Sequence, residues 1–238
     1  MNVGKNVLIT GATSGIGEAL FSLFSKHCHT MYPCGRNEDK LQQLKERSAT
    51  CWPLSFDINV TEQVNLAASQ VDSIDILILN AGDCAYIDDV MAFNAADFAR
   101  IINTNLTSLG NVLAAFLPKV NKGGQVVLVS SAATLLPFPK AEAYGASKAG
   151  INYLANSLRL DLEKHQIGVS LVHPGFVEIP LTDKNTFNMP FILSAPEAAQ
   201  RIYKGVMKKK QYIHFPKRLT WLLKVLAFMP QFLRHRLM

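Results

Sequence analysis

The chain has 238 residues, of which 49% are hydrophobic and 18% are charged. A chain of this length and composition buries a substantial core, so intrinsic disorder is excluded. Its formal charge of +6 lies at one end, because residues 198–238 hold ten Lys or Arg and no acidic residue. We expect no nucleic-acid partner, since no recognition motif accompanies this basic charge.

The cysteines indicate the cellular environment. No two of them form a C-x-x-C pair, and no His/Cys cluster has metal-ligand spacing, so we expect no metal site. Too few residues precede the first predicted strand for a signal peptide. We therefore expect a cytoplasmic protein with free thiols. The four cysteines are Cys28, Cys34, Cys51 and Cys84.

Strand-like apolar runs alternate with helical patterns along the chain. Strands are predicted at residues 6–10, 30–34, 50–55, 74–79, 125–130, 168–173 and 211–215. Helices are predicted at residues 15–26, 37–47, 61–69, 95–120, 143–165 and 196–208. Apolar strands that alternate with helices are typical of a parallel sheet covered on both faces. We predict an α/β fold, with a single Rossmann-type doubly wound sheet over residues 1–215 and a basic, apolar tail over 216–238.

A glycine-rich segment follows the first predicted strand and begins the first predicted helix. Its glycines allow the backbone to turn tightly and to approach a pyrophosphate, and the helix N-terminus offers N–H groups to phosphates. The alternative is an ordinary glycine-rich turn, which the position after the first strand disfavours. We predict that the following residues contact the cofactor phosphates: Gly11, Thr13, Ser14, Gly15, Ile16 and Gly17.

The end of the second predicted strand bears on the choice of cofactor. An acidic residue there binds the ribose 2′-OH of NAD, whereas an arginine accommodates the 2′-phosphate of NADP. Gly35 takes the place of the acid and Arg36 follows it. A guanidinium suits a phosphate dianion, although Arg36 could also be a solvated loop residue. We predict that NADP(H) is preferred, with NAD(H) as the alternative.

Tyr144 and Lys148 are four residues apart in the predicted helix 143–165, so their side chains share one face. A phenol with an ordinary pKa of about 10 is protonated at neutral pH and can donate a proton to a carbonyl oxygen. A nearby ammonium group favours phenolate, so we expect Lys148 to lower the pKa of Tyr144. The alternative is a surface tyrosine beside a solvated lysine.

Ser131 follows the predicted strand 125–130 and lies 13 positions before Tyr144. The carboxyl end of a strand faces the ligand crevice of an open α/β sheet. A hydroxyl group there can bind the substrate oxygen and stabilise developing charge. Ser130 is the rival residue, on the other side of the strand.

The G-x-x-x-G-x-G spacing, the Tyr-x-x-x-Lys pair and the serine 13 positions earlier resemble the short-chain dehydrogenase/reductase family, in its compact single-domain subgroup. The resemblance covers roughly residues 3–182. It implies the catalytic residues Asn105, Ser131, Tyr144 and Lys148, with Asn105 supporting a proton path to the lysine. A helix kink or a structural amide is the alternative for Asn105.

The resemblance also implies further cofactor contacts. Asp57 resembles the residue that contacts the adenine amine, although a turn acid is the alternative. The segment Asn80-Ala81-Gly82 resembles the motif beside the cofactor, with a plain turn as the alternative. Near the nicotinamide, and in addition to Tyr144 and Lys148, the resemblance implies Pro174, Gly175, Val177 and Thr182.

Residues 174–194 form the predicted substrate loop, whose apolar residues either line a pocket or belong to the core or a subunit contact. The tail is too short and too charged to span a bilayer. It contacts an anionic membrane surface peripherally, covers the substrate pocket or forms a subunit contact, and the sequence leaves these three alternatives open. The apolar pocket candidates are Leu135, Leu136, Phe138, Phe176, Ile179, Leu181, Phe187, Met189, Phe191, Ile192 and Leu193.

We therefore predict an NAD(P)-dependent oxidoreductase that transfers hydride between the nicotinamide and a carbonyl or alcohol substrate, which we expect to be hydrophobic. Tyr144 is the predicted general acid and base. The alternative functions are a catalytically silent, cofactor-sensing protein and a membrane-surface interaction protein. The resemblance implies a homodimer or homotetramer.

Overall fold

The structure is a computed structural model that describes residues 4–182 and 188–230. Its strands are β1 (Lys5–Thr10), β2 (Cys28–Gly35), β3 (Leu54–Ser55), β4 (Ile74–Leu79), β5 (Val120–Val129), β6 (Gly168–Pro174), β7 (Val177–Glu178), β8 (Leu193–Ser194) and β9 (Tyr212–Phe215). Its α-helices are α1 (Gly15–Phe24), α2 (Glu38–Glu46), α3 (Thr61–Ser69), α4 (Ala95–Ile102), α5 (Ser108–Phe116), α6 (Glu142–Glu163), α7 (Ala195–Met207) and α8 (Lys217–Phe228).

Seven strands form one sheet in the order β3-β2-β1-β4-β5-β6-β9, and every neighbouring pair is parallel. The chain builds outward from β1 in one direction and then returns to add β4 on its other side. The segments that follow β1 and β4 therefore run to opposite faces of the sheet and leave a crevice between them. The predicted α/β fold with a doubly wound parallel sheet is confirmed.

Both faces of the sheet are buried, because successive side chains of a strand point to opposite sides. In β1, Val7 and Ile9 pack on one face, whereas Leu8 packs on the other. The face with Leu8 is covered by α3, α5 and α6, and the opposite face by α1 and α7. Helices on both sides of a parallel sheet explain why its strands read as nearly continuous apolar runs.

Two predicted elements differ in the structure. The helix predicted over residues 95–120 is divided by a π-helical turn at Asn103–Thr107, and Val120 already belongs to β5. The strand predicted over residues 50–55 is reduced to β3 and one isolated bridge between Met31 and Cys51. Pro53 lies between the bridge and β3, and proline has no N–H to donate to a sheet.

The first part of the predicted tail is helix α8, which packs on the body of the molecule. Its inner residues Leu219 and Leu223 are buried in an apolar cluster with Ala132 and Leu136. Its first turn is tied to β9, because His214 Nδ1 lies 2.6 Å from Thr220 Oγ1. Residues 231–238 lie outside the described part of the chain.

The ends of the predicted substrate loop are held together by a small parallel sheet. β7 pairs with β8, and the N–H of Leu193 donates to the carbonyl of Phe176 at 3.0 Å. The predicted pocket residue Phe187 lies outside the described residues. Within residues 4–182 and 188–230, we find no helix that is both long and apolar enough to cross a bilayer.

Candidate active site

A cleft of about 540 Å³ follows the carboxyl ends of the central strands. Its volume lies within the range of small-molecule sites. Of the residues predicted from the sequence, Gly17 and Asn105 lie behind the cleft. The predicted residues that line it are Gly11, Thr13, Ser14, Gly15, Ile16, Arg36, Asp57, Asn80, Ala81, Gly82, Ser131, Tyr144, Lys148, Pro174, Gly175, Val177 and Thr182.

The glycine loop needs its glycines for two different reasons. Gly11 and Gly15 have φ angles of 66° and 54°, in the left-handed region that favours glycine. Gly17 is required by close packing, because a Cβ there would overlap the Gly11 carbonyl oxygen and lie 2.7 Å from Asn80 Nδ2. The loop therefore lies tightly against the residues that follow β4.

The N-terminus of α1 points into the cleft. Ser14 is the N-cap residue, and its side chain makes no capping hydrogen bond to the helix. The first N–H groups of a helix have no intrahelical partner and carry a partial positive charge. The loop and helix together supply the type of donor set that binds a phosphate group.

Asn80 and Ala81 are fixed to the end of β1 by Thr10. The Thr10 hydroxyl oxygen accepts from the backbone N–H groups of Asn80 at 3.0 Å and Ala81 at 3.2 Å. The Asn80 amide donates to the carbonyls of Thr10 and Gly11, both at 3.2 Å. Asn80 therefore holds the glycine loop in place through its side chain, which a residue of a plain turn would not do.

Arg36 and Asp57 lie together at the outer end of the cleft. Arg36 Nη1 is 3.5 Å from Asp57 Oδ2, and 76% of the Arg36 side chain is exposed. Burial raises the pKa of Asp57, but hydrogen bonds from Asn59 and the charge of Arg36 outweigh it and lower that pKa overall. Asp57 Oδ1 accepts from the backbone and side chain of Asn59, so it also shapes the local turn.

Lys148 is buried beneath the cleft, with only 4% of the residue exposed. Its Nζ donates to the Val129 carbonyl at 3.0 Å, and its own carbonyl accepts from the Ser130 hydroxyl at 3.0 Å. Burial lowers the pKa of Lys148 to about 8. Ser130 thus supports the backbone of α6, and both Ser130 and Ser131 line the cleft.

Tyr144 lies one turn before Lys148 on α6, and the Lys148 Nζ is 5.7 Å from the centre of its ring. Burial raises the pKa of Tyr144 to about 12, and a side-chain hydrogen bond with Ser131 opposes that shift. The expected lowering of this pKa by Lys148 is therefore wrong for this structure, because desolvation dominates. The phenol is protonated at neutral pH and can act as an acid.

Asn105 lies in the π-helical turn and is fully buried. Its amide nitrogen donates to the Asp83 carbonyl and to Ser147 Oγ, both at 2.9 Å, and its oxygen accepts from the Asp83 N–H at 2.7 Å. The oxygen also faces Gly82, where an added Cβ would lie 3.1 Å from it and 3.3 Å from Lys148 Nζ. Such π-helical turns occur frequently at functional sites.

Thr182 is placed at the junction of the cleft and the substrate loop. Its hydroxyl donates to the carbonyl of Val177 at 2.6 Å or of Ile179 at 2.9 Å, and its oxygen accepts from the Ile179 N–H. This arrangement fixes the turn after β7. Thr182 lines the cleft, next to Pro174 and Gly175.

A second cavity of about 370 Å³ opens from the cleft and is mostly apolar. Ser131 and Tyr144 line both spaces. Of the predicted pocket candidates, Phe138, Phe176 and Leu181 line it, whereas Leu135 and Leu136 pack behind it with α8. Phe191 and Ile192 are exposed to solvent.

Nine residues that line this second cavity are not among the predicted site or pocket residues, and they include two residues of α8 and two of the segment after β4. Leu219 and Leu223 reach the cavity from α8, and their i, i+4 spacing in the tail was the signal that could have identified them. Cys84 and Tyr86 come from the segment after β4, where no periodic pattern distinguishes them. The structure therefore favours the second of the three interpretations of the tail, which is a cover over the pocket.

Comparison with known proteins decides the family. The model of the short chain dehydrogenase family matches residues 5–189. The chain belongs to this family. It is therefore an oxidoreductase that acts on CH–OH or C=O groups with a nicotinamide cofactor. The serine 3-dehydrogenase of Rhizobium radiobacter is 31% identical over 206 residues, which are 84% of this chain and 80% of the relative.

Solved structures support the same fold. A short chain dehydrogenase from Burkholderia cenocepacia in complex with NADP has a TM-score of 0.87 and 23% identity, covering 100% of this chain and 99% of the other. A family member from Burkholderia phymatum in complex with NAD has a TM-score of 0.84 and 22% identity, covering 93% and 92%. These two structures bind different cofactors, so the cofactor preference of this dehydrogenase depends on its own residues.

Proposed function

We propose that this dehydrogenase transfers hydride between NADP(H) and an uncharged, hydrophobic carbonyl or alcohol compound. One observation carries the proposal, which is that Ser131 and Tyr144 line both the cleft and the apolar cavity. A substrate oxygen that contacts these two hydroxyl groups would place its apolar substituents in the cavity and its carbonyl carbon toward the cleft.

The proposed roles follow from the environment of each side chain. A nicotinamide cofactor bound in the cleft would supply or accept the hydride. Tyr144 donates the proton to the substrate oxygen in reduction, consistent with a pKa raised to about 12. Ser131 orients that oxygen by hydrogen bonding. Lys148, with a pKa of about 8, re-protonates Tyr144, and Asn105 is a positioning residue that holds the segment around Gly82 and Asp83 beside it.

Arg36 supports the proposed preference for NADP. It is an exposed cation at the outer end of the cleft and follows Gly35, which ends β2 where NAD-binding proteins of this fold carry a carboxylate. A phosphate dianion there gains charge-assisted hydrogen bonds, and a ribose without the phosphate does not. Asp57 Oδ2 lies 3.5 Å from Arg36 Nη1 and orients the guanidinium group toward the cleft.

The lining of the second cavity supports an uncharged substrate. Among its described lining residues, Lys140 is the one ionised side chain, and its Nζ is 3.1 Å from Asp88 Oδ1. Serine, after which the relative from Rhizobium radiobacter is named, carries both an ammonium and a carboxylate, and this cavity offers no carboxylate among its described residues. Burying an unpaired charge is costly, so the cavity selects against such compounds.

A cytoplasmic location and a homodimer or homotetramer remain predictions from the sequence. The outer face of α6 is compatible with a subunit contact, because Tyr153 and Leu160 are exposed on it. Sedimentation of the full chain measures the oligomeric state directly.

A substrate panel tests the proposed function. NADPH oxidation is followed with aldehydes and ketones of increasing alkyl length and with charged analogues of matched size. We expect kcat/KM to rise with alkyl length by roughly threefold per methylene group until the cavity is filled. Preference for the charged analogues would contradict the assignment of the cavity, and the absence of turnover with every carbonyl compound would contradict the proposed reaction.

A further inference from the structure

Helix α8 has two apolar faces, although only one of them is buried. Its inner face carries Leu219 and Leu223, which are 4% and 6% exposed and line the second cavity. Its outer face carries residues three or four positions apart that form a stripe on the opposite side. This stripe consists of Trp221, Leu222, Val225 and Phe228, exposed by 60%, 50%, 61% and 92%.

Basic side chains lie at the N-terminal end of this stripe and beside Trp221. Arg218 and Lys217 are exposed in the first turn, and Lys224 lies 5.2 Å from the centre of the Trp221 ring. Residues 198–238 contain ten basic and no acidic residues, whereas residues 1–197 have an excess of acidic residues. The outer face of α8 is therefore the apolar centre of the most positive region of the sequence.

We propose that the outer face of α8 docks on the surface of a bilayer that contains anionic lipids. Aromatic and aliphatic side chains enter the interfacial region of a bilayer, and flanking basic side chains bind anionic headgroups. Both requirements are met on one helix face. No helix of the described residues spans a membrane, so the contact is peripheral.

A bilayer fits this face better than a second copy of the chain does. In a two-fold symmetric contact, the same surface of each copy meets its equivalent. Two copies joined through α8 would bring together two surfaces that each carry Arg218, Lys217 and Lys224 and no acidic residue of the helix, and like charges oppose such a contact. An anionic surface complements them instead.

Docking would place the wall of the apolar cavity next to the bilayer, since the two faces of α8 are one helix diameter apart. Hydrophobic carbonyl compounds partition into bilayers. This consequence rests on the proposed function, but the docking itself does not, because vesicle binding is measured without substrate or cofactor.

Tryptophan fluorescence tests the docking. The chain has two tryptophans, so Trp52→Phe leaves Trp221 as the single reporter. The full-length variant is titrated with vesicles of phosphatidylcholine alone or mixed with phosphatidylglycerol. We expect a blue shift of the Trp221 emission with the mixed vesicles only, weakened by added salt. No shift, or an equal shift with phosphatidylcholine alone, would overturn the proposal.

Two matched variants in the same background locate the contact. Val225→Ser with Phe228→Ser should lower the vesicle affinity about tenfold or more, because two apolar side chains no longer leave water. Leu66→Ser with Met91→Ser removes exposed apolar side chains elsewhere and should leave the affinity unchanged. Equal losses in both would overturn the proposal. Light scattering measures self-association of the chain. If the chain self-associates and only Val225→Ser with Phe228→Ser removes this association, the outer face of α8 is a contact between copies, and the proposal is overturned.

Discussion

Gly17 sets the distance between the glycine loop and the segment after β4. A methyl group there would overlap the Gly11 carbonyl oxygen, so Gly17→Ala must displace the loop. We expect at least about tenfold weaker NADPH binding and a loss of about 1–3 kcal/mol in the free energy of unfolding. Fluorescence titration and urea denaturation measure the two effects.

Gly110 provides the matched control for Gly17, because it lies in α5 and an added Cβ meets nothing within 4 Å. Gly110→Ala should leave NADPH binding unchanged and raise the free energy of unfolding by about 0.5–1 kcal/mol. If both variants bind NADPH equally well, the glycine loop does not hold the cofactor in the proposed way.

Arg36 is the residue on which the NADP preference depends. Replacing it with alanine removes charge-assisted hydrogen bonds to the 2′-phosphate, each typically about 1.5–3 kcal/mol. We expect the ratio of kcat/KM for NADPH to that for NADH to fall roughly ten- to hundredfold. Arg47→Ala is the control, since Arg47 instead pairs with Glu18 at 2.9 Å. An unchanged ratio in Arg36→Ala would remove the basis for the preference.

Helix α8 contributes the outer wall of the apolar cavity, so it should influence which substrates fit. Leu223→Ala removes buried side-chain volume at this wall. We expect kcat/KM for bulky ketones relative to small ones to rise about tenfold, and the free energy of unfolding to fall by about 2–3 kcal/mol. Leu222→Ala, on the exposed face of the same helix, should change neither quantity. The same selectivity in both variants would show that α8 does not shape the pocket.

A polar network connects β6, α6 and β9 behind this wall. His173 Nδ1 lies 2.6 Å from the Tyr212 hydroxyl, and its Nε2 lies 2.7 Å from Asn152 Oδ1. These partners fit a neutral ring that accepts from Tyr212 and donates to Asn152. Burial, followed by the charges of His214 and Lys224, lowers the pKa of His173 from 6.5 to about 4.

This lowered pKa makes stability depend on pH in one direction. Between pH 6.5 and 4 the unfolded chain binds a proton at His173 and the folded chain does not, so acid favours unfolding. When the pH falls from 7 to 5, the titration of His173 should lower the free energy of unfolding of the wild-type protein by up to about 2 kcal/mol. We expect His173→Gln to lack this part of the decrease. The exposed His165→Gln should lose as much as wild type, and urea denaturation at both pH values decides. An equal loss in His173→Gln would contradict the network.

The fold of the whole molecule could be predicted because its signals are local. Apolar runs with helices between them indicate a parallel sheet, and the spacing of Gly11, Gly15 and Gly17 marks the turn after β1. The order of the motifs along the chain then placed Ser131 and Tyr144 at one edge of that sheet. The parallel topology brings Ser131, which follows the carboxyl end of β5, to the same edge of the sheet as Tyr144 in the first turn of α6.

The features that the sequence did not indicate depend on contacts between distant segments. The π-helical turn forms where Asn105 bonds to Asp83 and Ser147, which no local pattern encodes. Burial by the completed site raises the pKa of Tyr144, whereas the nearby lysine in the sequence predicts a lower pKa. The position of α8 depends on its contacts with β9 and with the Ala132 segment.

The most direct test of the central claim concerns Tyr144, where the cleft and the apolar cavity meet. Tyr144→Phe removes the proton donor and keeps the ring. NADPH oxidation is measured with the best carbonyl substrate of the panel, beside Tyr153→Phe, which changes an 81% exposed tyrosine on the same helix. We expect kcat to fall roughly 10²- to 10⁴-fold in Tyr144→Phe, with NADPH affinity unchanged, and to stay at the wild-type value in Tyr153→Phe. A Tyr144→Phe variant with wild-type kcat would contradict the account.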